Sequence, residues 1–325
     1  MKKIKAILAL ASASLLVACS ASIGMSKEDA KKKLEEYSAH VQEKTFTTPR
    51  KLSYSSQVVM EGNGVSSTLL GTFDIDLDAK CIFSYASMPV AATGEDGAEG
   101  ELTEWTPHYW LWTVKENEEQ KYYFAYSSSK TDYSQAYFYD LDEEAFNEQF
   151  KQMNDYISAE GFEKVYTKLI KDLDNIALPG EKADESSEEG SLSEEETLSE
   201  EAPVEEEQYS YNLKSSSFDE SYLTSGEGNL EVNATMKVSG TYAPAISAEG
   251  EENAPIAFDA ENTVKFKVEN YLPLREETIL KSSQKMGEKT NALSAHTTIT
   301  YSWGSCNFAA PDLSKFPAEP SEAGE

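Results

Sequence analysis

Apolar positions in this chain keep two periods, and the switches between them mark out its elements. Ala30, Leu34, Tyr37 and Val41 recur three or four residues apart, with Lys27, Lys31, Lys32, Glu35 and Glu36 on the other faces. That spacing predicts one amphipathic helix, ended before Pro49. Ser26 stands where it can cap this helix, with Asp29 three residues on in capping-box position. From Leu52 the period falls to two: Leu52, Tyr54, Val58 and Met60 alternate with polar neighbours, and Gly62-Asn63-Gly64 turns the chain. Phe73, Ile75 and Leu77 alternate with Asp74, Asp76 and Asp78, and Cys81, Phe83 and Tyr85 follow. These are antiparallel strands with one wet face. A loop is expected from Gly94 to Gly100, then aromatic strands at His108–Val114, Tyr122–Ser127 and Tyr137–Leu141.

The longer period returns with Phe146, Phe150 and Met153, and again with Phe162, Val165, Tyr166, Leu169, Ile170 and Leu173, predicting two helices that Pro179-Gly180 stops. Residues 181–207 then lose all periodicity: thirteen acidic residues and one lysine leave almost nothing to bury, so a solvated linker is expected across 180–208. Strand alternation resumes at Leu230, Val232, Ala234, Met236 and Val238, and again at Val264, Phe266 and Val268. Two further strands are expected at Arg275–Leu280 and Thr297–Trp303, and 311–325 reads as a flexible tail. The pattern alone permits one continuous sheet or two β-rich lobes flanking the linker.

The first residues carry a different signal. Lys2, Lys3 and Lys5 precede an apolar run from Ala6 to Val17, too short for a roughly 20-residue membrane span. Leu16-Val17-Ala18-Cys19 then resembles the bacterial lipobox. Residues 1–18 would be a lipoprotein signal peptide, Cys19 the diacylglyceryl-modified N-terminus, and 19–25 a tether holding the protein to the outer face of the cell membrane. The 307 residues that remain suffice for a substantial core. The full chain carries 58 acidic and 28 basic residues, net −30, and losing the three leader lysines brings this near −33. Such a surface repels polyanions, so nucleic acid is not expected as a partner.

Candidate chemistry is sparse. Cys81 and Cys306 are the remaining cysteines. They form either one disulfide closing a very long loop, worth about 4–5 kcal/mol in loop-entropy models, or two separate small apolar side chains. Asp74, Asp76 and Asp78 are spaced like calcium-loop ligands, but Ala79 and Tyr85 stand where the loop needs glycine and glutamate. They read better as the wet face of a strand, and no metal or cofactor is expected. His40, His108 and His296 are isolated, and no HExxH, CxxC, GxSxG or phosphate-binding loop occurs. Catalysis is therefore not expected, although a dispersed hydrolase triad needs no sequence signature. Trp105, Tyr109, Trp110, Trp112, Tyr122, Tyr123, Phe124 and Tyr126 crowd together. Adjacent rings such as Tyr109-Trp110 fall on both faces of a strand, and each face must be covered by helices, a partner or an apolar ligand.

Taken in order, a lipobox, a leading helix, a meander, two helices and a second meander containing Val264-Lys265-Phe266-Lys267-Val268-Glu269-Asn270-Tyr271-Leu272-Pro273-Leu274-Arg275-Glu276 resemble the LolA/LppX-type lipoprotein carriers. The Asp76-Leu77-Asp78-Ala79-Lys80 hairpin fits the same pattern. The resemblance spans roughly 26–310 and implies an α+β fold. In that fold a curved antiparallel sheet forms an incomplete barrel, helices pack on its concave side, and an acyl chain can lie between them. Residues 26–179 would supply the helix, first meander and two helices, and 209–310 the meander that completes the sheet. Trp110, Trp112, Tyr123, Phe162, Val165 and Leu169 are the candidate lining of an apolar ligand site. The implied function is a non-catalytic binder or carrier of a lipid or similar molecule. The alternative is an envelope protein–protein scaffold with a filled interior.

Overall fold

The structure, a computed structural model, describes residues 22–62, 64–93, 99–129, 133–153, 157–176, 209–244, 255–286 and 289–317. Cys19, the acidic stretch 181–207 and residues 318–325 lie outside these. Among the described residues thirteen strands join in one sheet: β1 (Ile23–Gly24), β2 (Lys51–Gly62), β3 (Val65–Asp76), β4 (Cys81–Thr93), β5 (Glu99–Trp105), β6 (His108–Glu116), β7 (Glu119–Ser127), β8 (Tyr137–Leu141), β9 (Tyr209–Thr224), β10 (Leu230–Pro244), β11 (Ile256–Glu269), β12 (Leu272–Met286) and β13 (Lys289–Trp303). Helices α1 (Lys27–Val41), α2 (Glu143–Met153) and α3 (Ala159–Asp174) complete the fold.

All strand pairs are antiparallel, in the order β1-β9-β10-β11-β12-β13-β2-β3-β4-β6-β7-β8, with β5 added beside β4. The β13–β2 ladder, from Trp303 opposite Leu52 to Leu293 opposite Gly62, fuses the two meanders. The fold is thus α+β, mostly one curved, unclosed sheet, rather than two lobes. Tight hairpins set the register: Asn117-Glu118 and Asn270-Tyr271 all take positive φ, as two-residue turns with the twist of the flanking strands require.

Strand periodicity sorts side chains onto two faces. On one, α1 and α3 pack together over β10 and β11. Leu34, Phe162, Tyr166 and Leu169 bury against Val232, Ala234, Val264 and Phe266. Further along the same face, Phe146 of α2 closes a second core over Leu52, Ile75, Ile82 and Leu111. Ser26 caps α1 by accepting from the Asp29 N–H, and Ser158 caps α3 by accepting from Gly161.

The other face is wet along β10–β13 but covered at β4–β7. There the chain after β13 folds back, and Phe308, Leu313 and Phe316 close a third core over Cys81, Trp110, Trp112 and Ala125. This segment corrects two expectations. Pro311 onward is docked rather than free as far as residue 317, with Leu313–Lys315 forming a 3-10 turn and Phe316 buried. Asp74 and Asp76 are buried rather than wet, because the same segment lies over them. Asp74 accepts the Asn307 N–H at 3.0 Å. Asp76 accepts the N–H groups of Asp78 and Ala79 and pairs with Lys51 at 2.7 Å. The expected tether is shorter than 19–25, since Ile23 and Gly24 pair with Thr224 and Leu223 of β9.

Candidate functional site

Helix cover stops short of one corner of the sheet. Along the row Met236-Asn262-Leu280-Ala295-Met60, Met236 is buried beside the helices, whereas Leu280 is 49% and Met60 39% exposed. In the next row of the same face, Val238 is buried but Leu293 is 58% exposed. The strands run on past the helices here, so apolar side chains that would otherwise be core stand open. They form a groove of about 590 Å³ lined by Met60, Val65, Ala260, Leu280, Leu293 and Ala295, together with polar residues including Ser67 and Asn262. Its size falls within the roughly 300–1,000 Å³ usual for small-molecule sites.

Two polar atoms of its lining residues are shut from solvent without a hydrogen-bond partner among the described residues: Ser67 Oγ and Asn262 Oδ1. The Asn262 amide nitrogen donates to Asn175 O at the end of α3 (3.0 Å), which leaves Oδ1 as an acceptor in need of a donor.

A larger groove, about 770 Å³, lies behind this corner on the opposite face and is chemically different. Ser215, Ser217, Ser239, Ser283 and Ser294 line it, and Glu261 pairs with Lys237 (3.7 Å) and Lys281 (3.6 Å) across three strands. Its charges satisfy one another and face water, as the wet side of a sheet does.

A polar cluster around the buried Glu276 links α3 to the sheet. Glu276 accepts from Tyr301 Oη and Lys168 Nζ, both at 2.7 Å, and Lys168 also pairs with Asp172. Burial disfavours the Lys168 ammonium, but Glu276 and Asp172 outweigh this and raise its pKa. With each partner satisfied, the cluster is a strut between helix and sheet.

The candidate lining residues fall into two places, neither of them the groove. Phe162 and Leu169 are buried between α3 and the sheet, with Val165 half-buried against them. Trp110 and Trp112 lie on the other face beneath the C-terminal segment, where Tyr123 stacks on Trp112 at 5.3 Å. Both faces of β6 and β7 are therefore covered by the chain itself, whereas Tyr137 and Tyr139 of β8 stay exposed. The groove residues carry no mark in the sequence, because their alternation is that of ordinary core strands; only the reach of the helices distinguishes them. Cys81 and Cys306, 225 positions apart in sequence, are both free thiols and lie near enough for each to influence the other's ionisation.

No protein-family model matches the chain, and no curated protein matches it. Among solved structures, the crystal structure of a DUF1329 family protein from Desulfovibrio piger aligns at 7% identity over 85% of this chain and 90% of that one, with a TM-score of 0.17. A likeness that faint carries no argument about fold or function.

Proposed function

We propose that this chain is a membrane-anchored, extracytoplasmic lipoprotein that binds a lipid or other apolar ligand without catalysing its conversion. The observation that carries the reading is the open apolar groove at the helix-free corner. Leu280, Leu293, Met60 and Val65 stand exposed beside one another there, on a chain otherwise rich in charge. Contiguous apolar surface of this kind is seldom left uncovered without a partner. The lipobox at Leu16–Cys19 supports the address, and a LolA/LppX-like carrier fits the order of elements.

The test uses the Cys19→Ser protein, free of its own acyl chains. A fluorescent fatty acid should bind it, and Leu280→Glu with Leu293→Glu should weaken binding at least tenfold while the melting temperature holds. Absence of both co-purifying lipid and probe binding would overturn the reading. A second reading, an envelope scaffold, is favoured by the outer edge of β8, where Tyr137 and Tyr139 stack at 6.0 Å and stay exposed. A strand of another protein could extend the sheet there. Photo-crosslinking from position 139 that captures one envelope protein, without lipid binding, would favour it.

A further inference from the structure

We propose that Cys81 and Cys306 close into a disulfide that fastens the C-terminal segment across the sheet. The placement is fixed from three sides. Cys81 opens β4 directly opposite Asp76, and Asp76 lies opposite Lys51 in the neighbouring ladder. Gly304 donates its N–H to Lys51 O at 2.9 Å, and Asn307 donates to Asp74 Oδ1 at 3.0 Å. Cys306 is therefore held between two anchors, one on β3, the strand next to Cys81's, and one on β2 beyond it. Phe308 and Phe316 then pin the following chain to the core that contains Cys81. Asn307 adds a side-chain hydrogen bond to Ser53 Oγ at 3.0 Å. Two cysteines so placed need only side-chain rotation to meet, since strand and segment are independently tied down.

The chemistry balances with a disulfide oxidant. Cys306, the less buried of the pair, attacks one sulfur of the oxidant and expels the other as a thiol. Cys81 then attacks the mixed bond at Cys306 and releases the second thiol. The protein pair loses two electrons and two protons, and the oxidant is reduced to two thiols. Burial and the neighbouring Cys306 push the Cys81 thiol up to about 12, which is why Cys306 rather than Cys81 opens the exchange. An exported protein meets such an oxidant outside the cytoplasm, so formation in the cell rests on the proposed address.

The test separates bridge from address. Purified, reduced, folded protein is treated with oxidised glutathione, then denatured, alkylated and digested. A peptide joining Cys81 to Cys306, lost on reduction, is the expected product, with the melting temperature of the oxidised form about 5–10 °C higher. Reductant should not move the melting temperature of Cys306→Ser. Two separate glutathione adducts, or free thiols after prolonged treatment, would overturn the bridge. Full chain exported with its own leader should already contain the linked peptide. Free thiols there, with closure in vitro, would count against the address and leave the bridge standing.

Discussion

Lys51 and Asp76 pair where the C-terminal segment crosses the sheet, and their environment sets an acid-dependent part of the stability. Burial raises the Asp76 pKa, but the hydrogen bond from Lys51, those from the Ala79 and Asp78 N–H groups and the lysine charge more than offset it. Its folded value therefore lies below the ordinary 3.8. A depressed carboxylate contributes stability that is complete above the unfolded value and is lost as pH falls through the folded one. Asp76→Asn should lower the melting temperature near neutral pH, and the deficit against wild type should shrink below about pH 4. A deficit of constant size across acid titration would contradict that account. Gly228 poses a steric case: its φ is +71°, and a Cβ there would meet the Tyr271 ring and backbone at 2.8–2.9 Å. Tyr271 cannot retreat, since its N–H bonds Gly228 O, its carbonyl accepts from Tyr166 Oη, and its hydroxyl bonds Glu227. Gly228→Ala should cost about 2–3 kcal/mol in denaturant unfolding. Gly304→Ala, also at positive φ but with open space around the Cβ, should cost about 1 kcal/mol.

The docked C-terminal segment behaves as an element, because it buries rings that the sheet alone would expose. Phe316 sits 5.2 Å from Tyr133 and edge-on to Phe138, over the face that carries Trp110 and Trp112. Phe316→Ala should cost about 3 kcal/mol, and removal of residues 305–325 should shift tryptophan emission to the red as both indoles meet water. Unchanged emission in the truncated protein would mean another segment covers them. Elements were legible in the sequence wherever one face is core and the other wet. Leu230–Val238 alternates and is a strand, Phe162–Leu173 keeps helical spacing and is a helix, and Tyr137–Leu141 matches to the residue. β9 was not legible: Leu213, Lys214, Ser215, Ser216 and Ser217 carry no alternation, because beyond the helices little covers either face. The burial of Asp74 and Asp76 was hidden for the complementary reason. What covers them arrives more than 220 residues later, and no local period records a tertiary lid. The groove is defined by where α1 and α3 stop, a fact about packing rather than pattern.

At the scale of the whole molecule, the sheet's two ends differ in kind. One ends at β8 with exposed tyrosines; the other ends at β1, whose Ile23 enters the sheet four residues after Cys19. Four residues span at most about 14 Å, so on the proposed anchor the β1–β9 edge rides close to the bilayer rather than on a stalk. Electrostatics opposes that position, since a net charge of −30, or near −33 once the proposed leader is removed, is repelled by anionic headgroups. Attachment must therefore come from hydrocarbon. One acyl chain binds only marginally, whereas the two of a diacylglyceryl group make release slow. Two consequences can be read in cell fractions. High salt, which weakens ionic attachment, should leave the wild-type protein on membranes, and detergent should free it. Cys19→Ser should either leave the membrane fraction at every salt concentration as processed, soluble protein, or accumulate as an unprocessed precursor that still carries its apolar leader. Equal membrane retention of Cys19→Ser and wild type, both with the leader removed, would sink the anchor. The proposed ligand reading of the groove, which is tested in solution with a fatty-acid probe, does not depend on that result.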